Sequence, residues 1–78
     1  MNATGADRLV QLSKELESNA LKQYRPWSSY ERAILTAAML VQLDEPVRDG
    51  MDWGVKQGYF SLEIANGILR NLDIPTLP

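Results

Sequence analysis

The carboxylates of this sequence are concentrated in one stretch of nine residues. That stretch contains Asp44, Glu45, Asp49 and Asp52. Paired carboxylates act as general acids and bases or hold hard cations such as Ca²⁺. However, the spacing differs from the calcium-loop pattern of alternating acids followed by glycine, and the helix dipole alone favours acids in a first turn. We therefore predict that this stretch holds neither a metal ion nor a catalytic pair.

Other catalytic chemistry lacks the residues it requires. The 78-residue chain contains no cysteine and no histidine, which removes disulfides, Cys/His zinc sites, thiol nucleophiles and histidine-based catalysis. The sequence has no glycine-rich phosphate loop and no serine in a nucleophile elbow. Its three lysines lie among polar residues, whereas a Schiff-base lysine requires desolvation. We expect a protein that is not an enzyme and needs no cofactor.

An aromatic residue among charges is the strongest indication of a binding role. Trp53 lies off the apolar row of its predicted helix and close to acidic side chains. Trp and Tyr are enriched at binding hot spots, although Trp53 could equally belong to the core. Residues 44–52 carry four acids and one arginine, a local charge of −3, which favours a partner with a basic surface. The predicted partner-binding residues are Asp49, Asp52, Trp53, Lys56 and Tyr59.

These residues predict a small protein–protein interaction module. Small size and the lack of catalytic residues are typical of phage or mobile-element proteins that block host machinery, so we interpret the module as an adaptor or an inhibitor. One alternative is a structural homo-oligomer, for example a homodimer, joined through surplus apolar surface on the first two helices. The solvated start of a helix remains a simpler explanation for the acids.

A further alternative, ranked directly after the interaction module, is a DNA-binding regulator that acts as a dimer. The third helix, the turn at Gly58 and the fourth helix resemble a helix-turn-helix in outline. The charge pattern argues against nucleic acid, because the reading helix offers Arg70 only at its far end and carries Glu63 near its start. Asn66 and Asn71 could read bases, but the phosphate backbone would be poorly anchored.

Helical periodicity predicts the elements that position these residues. Ser28 and Glu31 form a capping box, Ser61 is a further N-cap, and Gly58 suits a left-handed helix end. The second helix is apolar almost all round, so it must be central. We predict a compact, single-domain all-α bundle over residues 1–78, with an extended tail at 73–78 and helices at about 5–24, 29–43, 46–57 and 62–72.

The pattern also predicts how the helices pack. The apolar stripe of the first helix contains Leu9, Leu12, Leu16 and Ala20. Each glycine inside a helix costs about 1 kcal/mol relative to alanine, so Gly50 and Gly54 indicate close packing, which we place against Ala33, Ala37 and Ala38. Arg48 and Asp52 are spaced as an i,i+4 ion pair, as are Asp52 and Lys56. Phe60, Trp27 and Tyr30 are expected to plug the ends of the bundle.

Composition indicates a cytoplasmic protein that does not enter membranes. The longest mostly apolar run, residues 33–43, has 11 residues, whereas a transmembrane helix needs about 20. The first residues lack the basic and apolar regions of a secretory signal. The absence of cysteine fits a reducing compartment, and the net charge of −2 gives no general attraction to nucleic acid.

Overall fold

Four helices form the regular structure of the residues that the computed structural model describes, 5–22 and 25–78. They are α1 (Gly5–Ala20), α2 (Ser29–Gln42), α3 (Val47–Lys56) and α4 (Leu62–Asn71). Those two ranges contain no strand. The helix α2 packs against each of the other three, and α3 also packs against α4. The predicted compact all-α fold with α2 at its centre is confirmed.

The core surrounds the small side chains of α2. Alanine at three buried positions of α2 leaves room for larger side chains from the neighbouring helices, because interiors are close-packed. Met51 and Leu69 are the largest fully buried side chains in the described residues. Phe60 is buried, as predicted for a plug. The buried apolar residues are Leu9, Ala33, Ile34, Ala37, Ala38, Met51, Phe60, Ala65, Ile68, Leu69 and Leu77.

Side-chain caps begin α2 and α4 where the sequence placed them. The Ser28 hydroxyl accepts a hydrogen bond from the Glu31 amide at 3.2 Å, and the Ser28 amide donates to Glu31 Oε1 at 2.9 Å. The Ser61 hydroxyl accepts from the Ile64 amide at 3.2 Å. Both predicted caps are therefore confirmed. Arg25 adds a bidentate ion pair to Glu31, with both N···O distances at 2.8 Å.

This cap should make stability depend on acidity. The side-chain hydrogen bond from Arg25, followed by the backbone hydrogen bond from Ser28, lowers the pKa of Glu31 to about 2. The unfolded value is about 4.3, so the ionised carboxylate stabilises the folded state above that pH. The stabilisation should be lost progressively as the pH falls from about 4 toward 2.

Urea unfolding of the wild type and of Glu31→Gln, measured from pH 7 to pH 2, checks this expectation. The free energies of unfolding should differ at neutral pH and converge in acid, because protonated Glu31 resembles glutamine. Curves that stay parallel over the whole range would contradict the assignment to Glu31.

Three helices end in the same way, with a residue in the left-handed region. Asp44, Gly58 and Asp73 have φ angles of 55°, 78° and 57°. In each case the following amide donates to a carbonyl five residues earlier, which is the Schellman arrangement. These bonds are Glu45 N to Leu40 O at 2.9 Å, Tyr59 N to Gly54 O at 3.0 Å, and Ile74 N to Leu69 O at 2.9 Å. The prediction for Gly58 is confirmed, and the two aspartates were not foreseen.

Substitutions at these helix ends should have opposite effects. Asp44→Gly should stabilise the protein by about 0.5–1 kcal/mol, because glycine adopts positive φ without strain. The substitution also removes a carboxylate from the C-terminal end of α2, where the helix dipole disfavours negative charge. Gly58→Ala should destabilise it by about 1 kcal/mol through backbone strain, since no heavy atom lies within 4 Å of an added Cβ. Urea denaturation measures both. A neutral Gly58→Ala or a destabilising Asp44→Gly would contradict the assignment.

The first helix differs from the prediction in its length and in its buried face. It ends at Ala20 rather than at residue 24; Leu21 and Lys22 form a turn, and residues 23 and 24 lie outside the described residues. Leu21 is 88% exposed, so no packing extends the helix. The buried positions are Leu9 and Ser13, whose hydroxyl donates to Val10 O at 2.6 Å, whereas Leu12 of the predicted stripe is exposed.

The glycines of α3 have different neighbours from those predicted. A Cβ at Gly50 would collide with the side chain of Leu40, and a Cβ at Gly54 would collide with the ring of Phe60. Gly50 therefore packs against α2 as predicted, but at Leu40 rather than at the alanines, whereas Gly54 packs against Phe60 and not against α2. Close packing is the reason, but the nearest atoms belong to two larger side chains.

The last residues pack along α3 and α4. The amide of Leu77 donates to Asn66 Oδ1 at 2.7 Å, and Asn66 Nδ2 donates to Leu77 O at 3.1 Å. Arg48 donates to Pro75 O and to Thr76 O, both at 3.0 Å. Leu77 is only 7% exposed. Residues 74–78 thus adopt no helix and are held by side chains from two helices.

Candidate functional site

The exposed side of α3 brings together the residues predicted to bind a partner. Positions 49, 52, 53 and 56 follow helical spacing and so share one side, opposite the buried Met51 and Gly54. Asp49, Trp53 and Lys56 are exposed, and Asp52 is partly exposed. Tyr59 follows directly after the helix end. We call these five residues, Asp49, Asp52, Trp53, Lys56 and Tyr59, the acidic–aromatic face.

Two aromatic rings form the centre of this face. The rings of Trp53 and Tyr59 meet edge to face, with centroids 5.3 Å apart and planes at 64°. Trp53 is 53% exposed and Tyr59 is 44% exposed, so Trp53 is a surface residue. The backbone of Tyr59 is fixed at both ends, because its amide donates to Gly54 O and its carbonyl accepts from Arg32 Nε at 2.9 Å. The backbone that carries the Tyr59 ring is therefore fixed by the fold.

The charges around the rings leave one carboxylate of the face, that of Asp49, unpaired within the described residues and open to solvent. Lys56 Nζ lies 2.9 Å from Asp52 Oδ2, confirming that predicted pair, and the Asp52 hydrogen bond and charge raise the pKa of Lys56. The predicted pair between Arg48 and Asp52 is wrong, because Arg48 donates to tail carbonyls instead. Asp49 is exposed and has no ion pair within the described ranges.

Within 5–22 and 25–78, no group of three or more carboxylates is placed to hold a metal ion. No helix in those ranges is long and apolar enough to cross a membrane.

The polar residues of the proposed reading helix are partly engaged by the chain itself. Both polar atoms of the Asn66 side chain are bonded to Leu77, so this asparagine is not available to read a base. Arg70 is exposed at the far end of α4, and Glu63 is exposed near its start. The exposed charge on α4 therefore matches the pattern that argued against nucleic acid.

Sequence reasoning missed a groove beside the acidic–aromatic face. Two adjoining depressions, of about 240 and 270 Å³, share Trp27, Leu35 and Thr36 as lining residues. Tyr59 also lines the first depression, and Met39 also lines the second. We call them together the Trp27 groove. The one sequence signal for it was that α2 is apolar almost all round, which we interpreted as complete burial.

Trp27 and Tyr30 were predicted to plug the ends of the bundle, but neither side chain is buried. Trp27 is 38% exposed and Tyr30 is 55% exposed. Tyr30 lines a separate groove of about 480 Å³, together with residues of α1, α2 and α4. A Cβ at Gly5 would lie 2.5 Å from Asn71 O, so the ends of α1 and α4 approach closely beside this groove.

Comparison of the chain with protein-family models, with curated proteins and with solved structures finds no match. Fold and surface together define a small helical domain with an exposed aromatic and acidic face.

Proposed function

We propose that this protein is a small, non-catalytic protein–protein interaction module that binds a partner with a basic surface through the acidic–aromatic face. One observation supports this most strongly: the exposed Trp53 and Tyr59 rings meet edge to face on the same side of the molecule as the open carboxylate of Asp49. The further step, to an adaptor or an inhibitor of the phage or mobile-element type, rests on size and composition.

The physical argument has an apolar and an electrostatic part. Half-exposed aromatic rings gain free energy when a partner covers them, and aromatic side chains lose little conformational entropy on binding because they have only two rotatable bonds. The open carboxylate of Asp49 steers a basic partner toward the face and raises the association rate at low salt. The combination favours specific binding to a basic protein surface.

Self-association is the second candidate, because Met39 on α2 and Leu43, directly after the end of α2, are exposed at 54% and 63%. This alternative predicts that the protein is a dimer or a larger oligomer at micromolar concentration. Sedimentation velocity measures the mass directly, and a monomer would exclude it.

Affinity capture from the native host, with quantitative mass spectrometry, tests the interaction module. Trp53→Ala and Asp49→Lys should each weaken binding of the captured partner at least about tenfold, as expected for hot-spot residues. Tyr30→Ala and Glu63→Lys are matched controls, since they remove an exposed aromatic ring and an exposed acid elsewhere. If folded Trp53→Ala and Asp49→Lys retain every partner at wild-type affinity, the face has been wrongly assigned.

A further inference from the structure

We infer that the groove between α1, α2 and α4 binds a small monocarboxylate with an apolar body, such as a medium-chain fatty acid. This groove has a volume of about 480 Å³ and is lined by Tyr30, so we call it the Tyr30 groove. None of the five residues of the acidic–aromatic face lines it. The inference therefore concerns a second site and is independent of the proposed function.

The floor of the Tyr30 groove is apolar and is built by three helices. Leu9 of α1, Ile34 of α2 and Ile68 of α4 line it, and each of them is a buried residue of the core. Leu12 also lines the groove and is 37% exposed, although its helical spacing predicted burial. An apolar ligand would cover the Leu12 side chain and remove it from water, which is favourable.

The size of the groove suits a small molecule. Binding sites for small molecules have volumes of about 300–1,000 Å³, and the Tyr30 groove lies within this range. It follows α1 from Gly5 to Leu12, which is about 10 Å along the helix axis. At the Gly5 end α1 contacts α4, because a Cβ at Gly5 would lie 2.5 Å from Asn71 O. This contact bounds the groove and favours a compact ligand over a long segment of another protein.

The polar side chains of the groove are hydrogen-bond donors at its rim. Arg8 of α1, Tyr30 of α2 and Asn71 of α4 line the groove and are exposed. Within the described residues, no hydrogen bond or ion pair engages any of these three side chains. Each of them can donate to an oxygen atom of a ligand. Three open donors above an apolar floor favour a ligand with an oxygen-bearing head and an apolar body.

The charge of the lining favours one negative charge on the ligand. Arg8 is the only charged residue among the described residues that line the groove, and a guanidinium stays positively charged in proteins. Asp7, Glu31 and Asp73 adjoin lining residues in the sequence, but none of them lines the groove. A guanidinium binds one carboxylate through two parallel hydrogen bonds, whereas a phosphate monoester would bring about two negative charges. One open arginine therefore matches a monocarboxylate.

An NMR titration of the ¹⁵N-labelled protein with sodium decanoate, below its micelle concentration, tests the inference. We expect saturable shifts of the amides of Leu9, Leu12 and Ile68. The two tryptophan indole signals should stay in place, because neither Trp27 nor Trp53 lines the groove. Absence of binding, or shifts that cluster at the tryptophans, would overturn the inference. If the same three amides shift with protein concentration alone, a second copy covers the groove and the inference is wrong.

Changes to the ligand test its head and its body separately. Decanol and decylamine carry the same alkyl chain with a neutral and a cationic head, and each should bind at least about tenfold more weakly than decanoate. Acetate has the same head without the apolar body and should give no saturable shift. Equal binding of decanol would overturn the carboxylate, and equal binding of acetate would overturn the apolar body.

Matched variants assign the binding to the groove. Arg8→Gln should weaken decanoate binding at least about tenfold, whereas Arg70→Gln removes an exposed arginine outside the groove and should change it less than about threefold. Leu12→Ser should weaken binding at least about fivefold. Leu21→Ser is its control, because Leu21 is 88% exposed and does not line the groove. Equal losses in the two arginine variants would show a response to overall charge, and the assignment to Arg8 would be wrong.

Discussion

Gly54→Ala is expected to destabilise the protein by about 1–2 kcal/mol, whereas Gly67→Ala should stabilise it by about 1 kcal/mol. Both glycines lie inside helices, and alanine gains about 1 kcal/mol over glycine in such positions. At Gly67 no heavy atom lies within 4 Å of an added Cβ, so only this gain remains. At Gly54 the added Cβ meets the buried ring of Phe60, including Cε2 at 2.7 Å. Overpacking a core costs about 1–3 kcal/mol and outweighs the gain.

A double-mutant cycle establishes whether Phe60 causes the loss. The free energy of unfolding is measured in urea for Gly54→Ala, for Phe60→Leu and for the double variant. Phe60→Leu alone should destabilise by leaving a cavity, but Gly54→Ala should cost less in its presence, because the smaller side chain leaves space for the Cβ. Additive effects, or a stabilising Gly54→Ala, would show that the ring does not require this glycine.

Asn66→Ala is expected to destabilise the protein by about 2 kcal/mol and to release the tail. The side chain makes two hydrogen bonds to the backbone of Leu77, each contributing about 1 kcal/mol. Releasing Leu77 would also expose an apolar side chain that is now buried. Asn71→Ala is the matched control, since Asn71 is an exposed asparagine of the same helix.

Two measurements check the tail prediction. Urea unfolding gives the stability, and amide hydrogen exchange of Leu77 reports whether the tail has left α4. The amide should be protected in the wild type and in Asn71→Ala and should exchange rapidly in Asn66→Ala. Equal stability and equal protection in the two variants would mean that Asn66 does not hold the tail.

The features that sequence analysis predicted correctly are local ones. The capping box at Ser28 and Glu31, the cap at Ser61 and the left-handed turn at Gly58 depend on residues a few positions apart. Helical spacing likewise places Trp53 and its charged neighbours on one side of α3. Such features are fixed by backbone geometry and need no knowledge of what packs against the helix.

The features that it missed depend on contacts between distant parts of the chain. Periodicity gives α1 an apolar stripe, but only packing against α2 decides that Leu9 is buried and Leu12 exposed. The close packing of Gly54 was foreseen, but not its neighbour, because Phe60 reaches it from beyond a turn. Arg48 had a local acid within reach and instead binds the carbonyls of Pro75 and Thr76.

The candidate site shows the same limit. The acidic–aromatic face was predictable because its helical residues lie on one short helix. The Trp27 groove was not, because it combines residues of α1, of α2, of the loop before α2 and of the turn before α4. An apolar α2 indicated burial on all sides, yet the described parts of the chain cover only some of its surface, and Met39 remains exposed.

The packing of α3 also has a consequence for how the protein could evolve. Gly50 and Gly54 cannot gain a side chain without displacing Leu40 or Phe60, so one side of this ten-residue helix should resist change. On the other side, Asp49 and Lys56 are exposed, and substitutions there leave the core unaltered. Under the proposed function, binding specificity would therefore change more easily than the fold, and related sequences should keep the two glycines while varying the exposed positions.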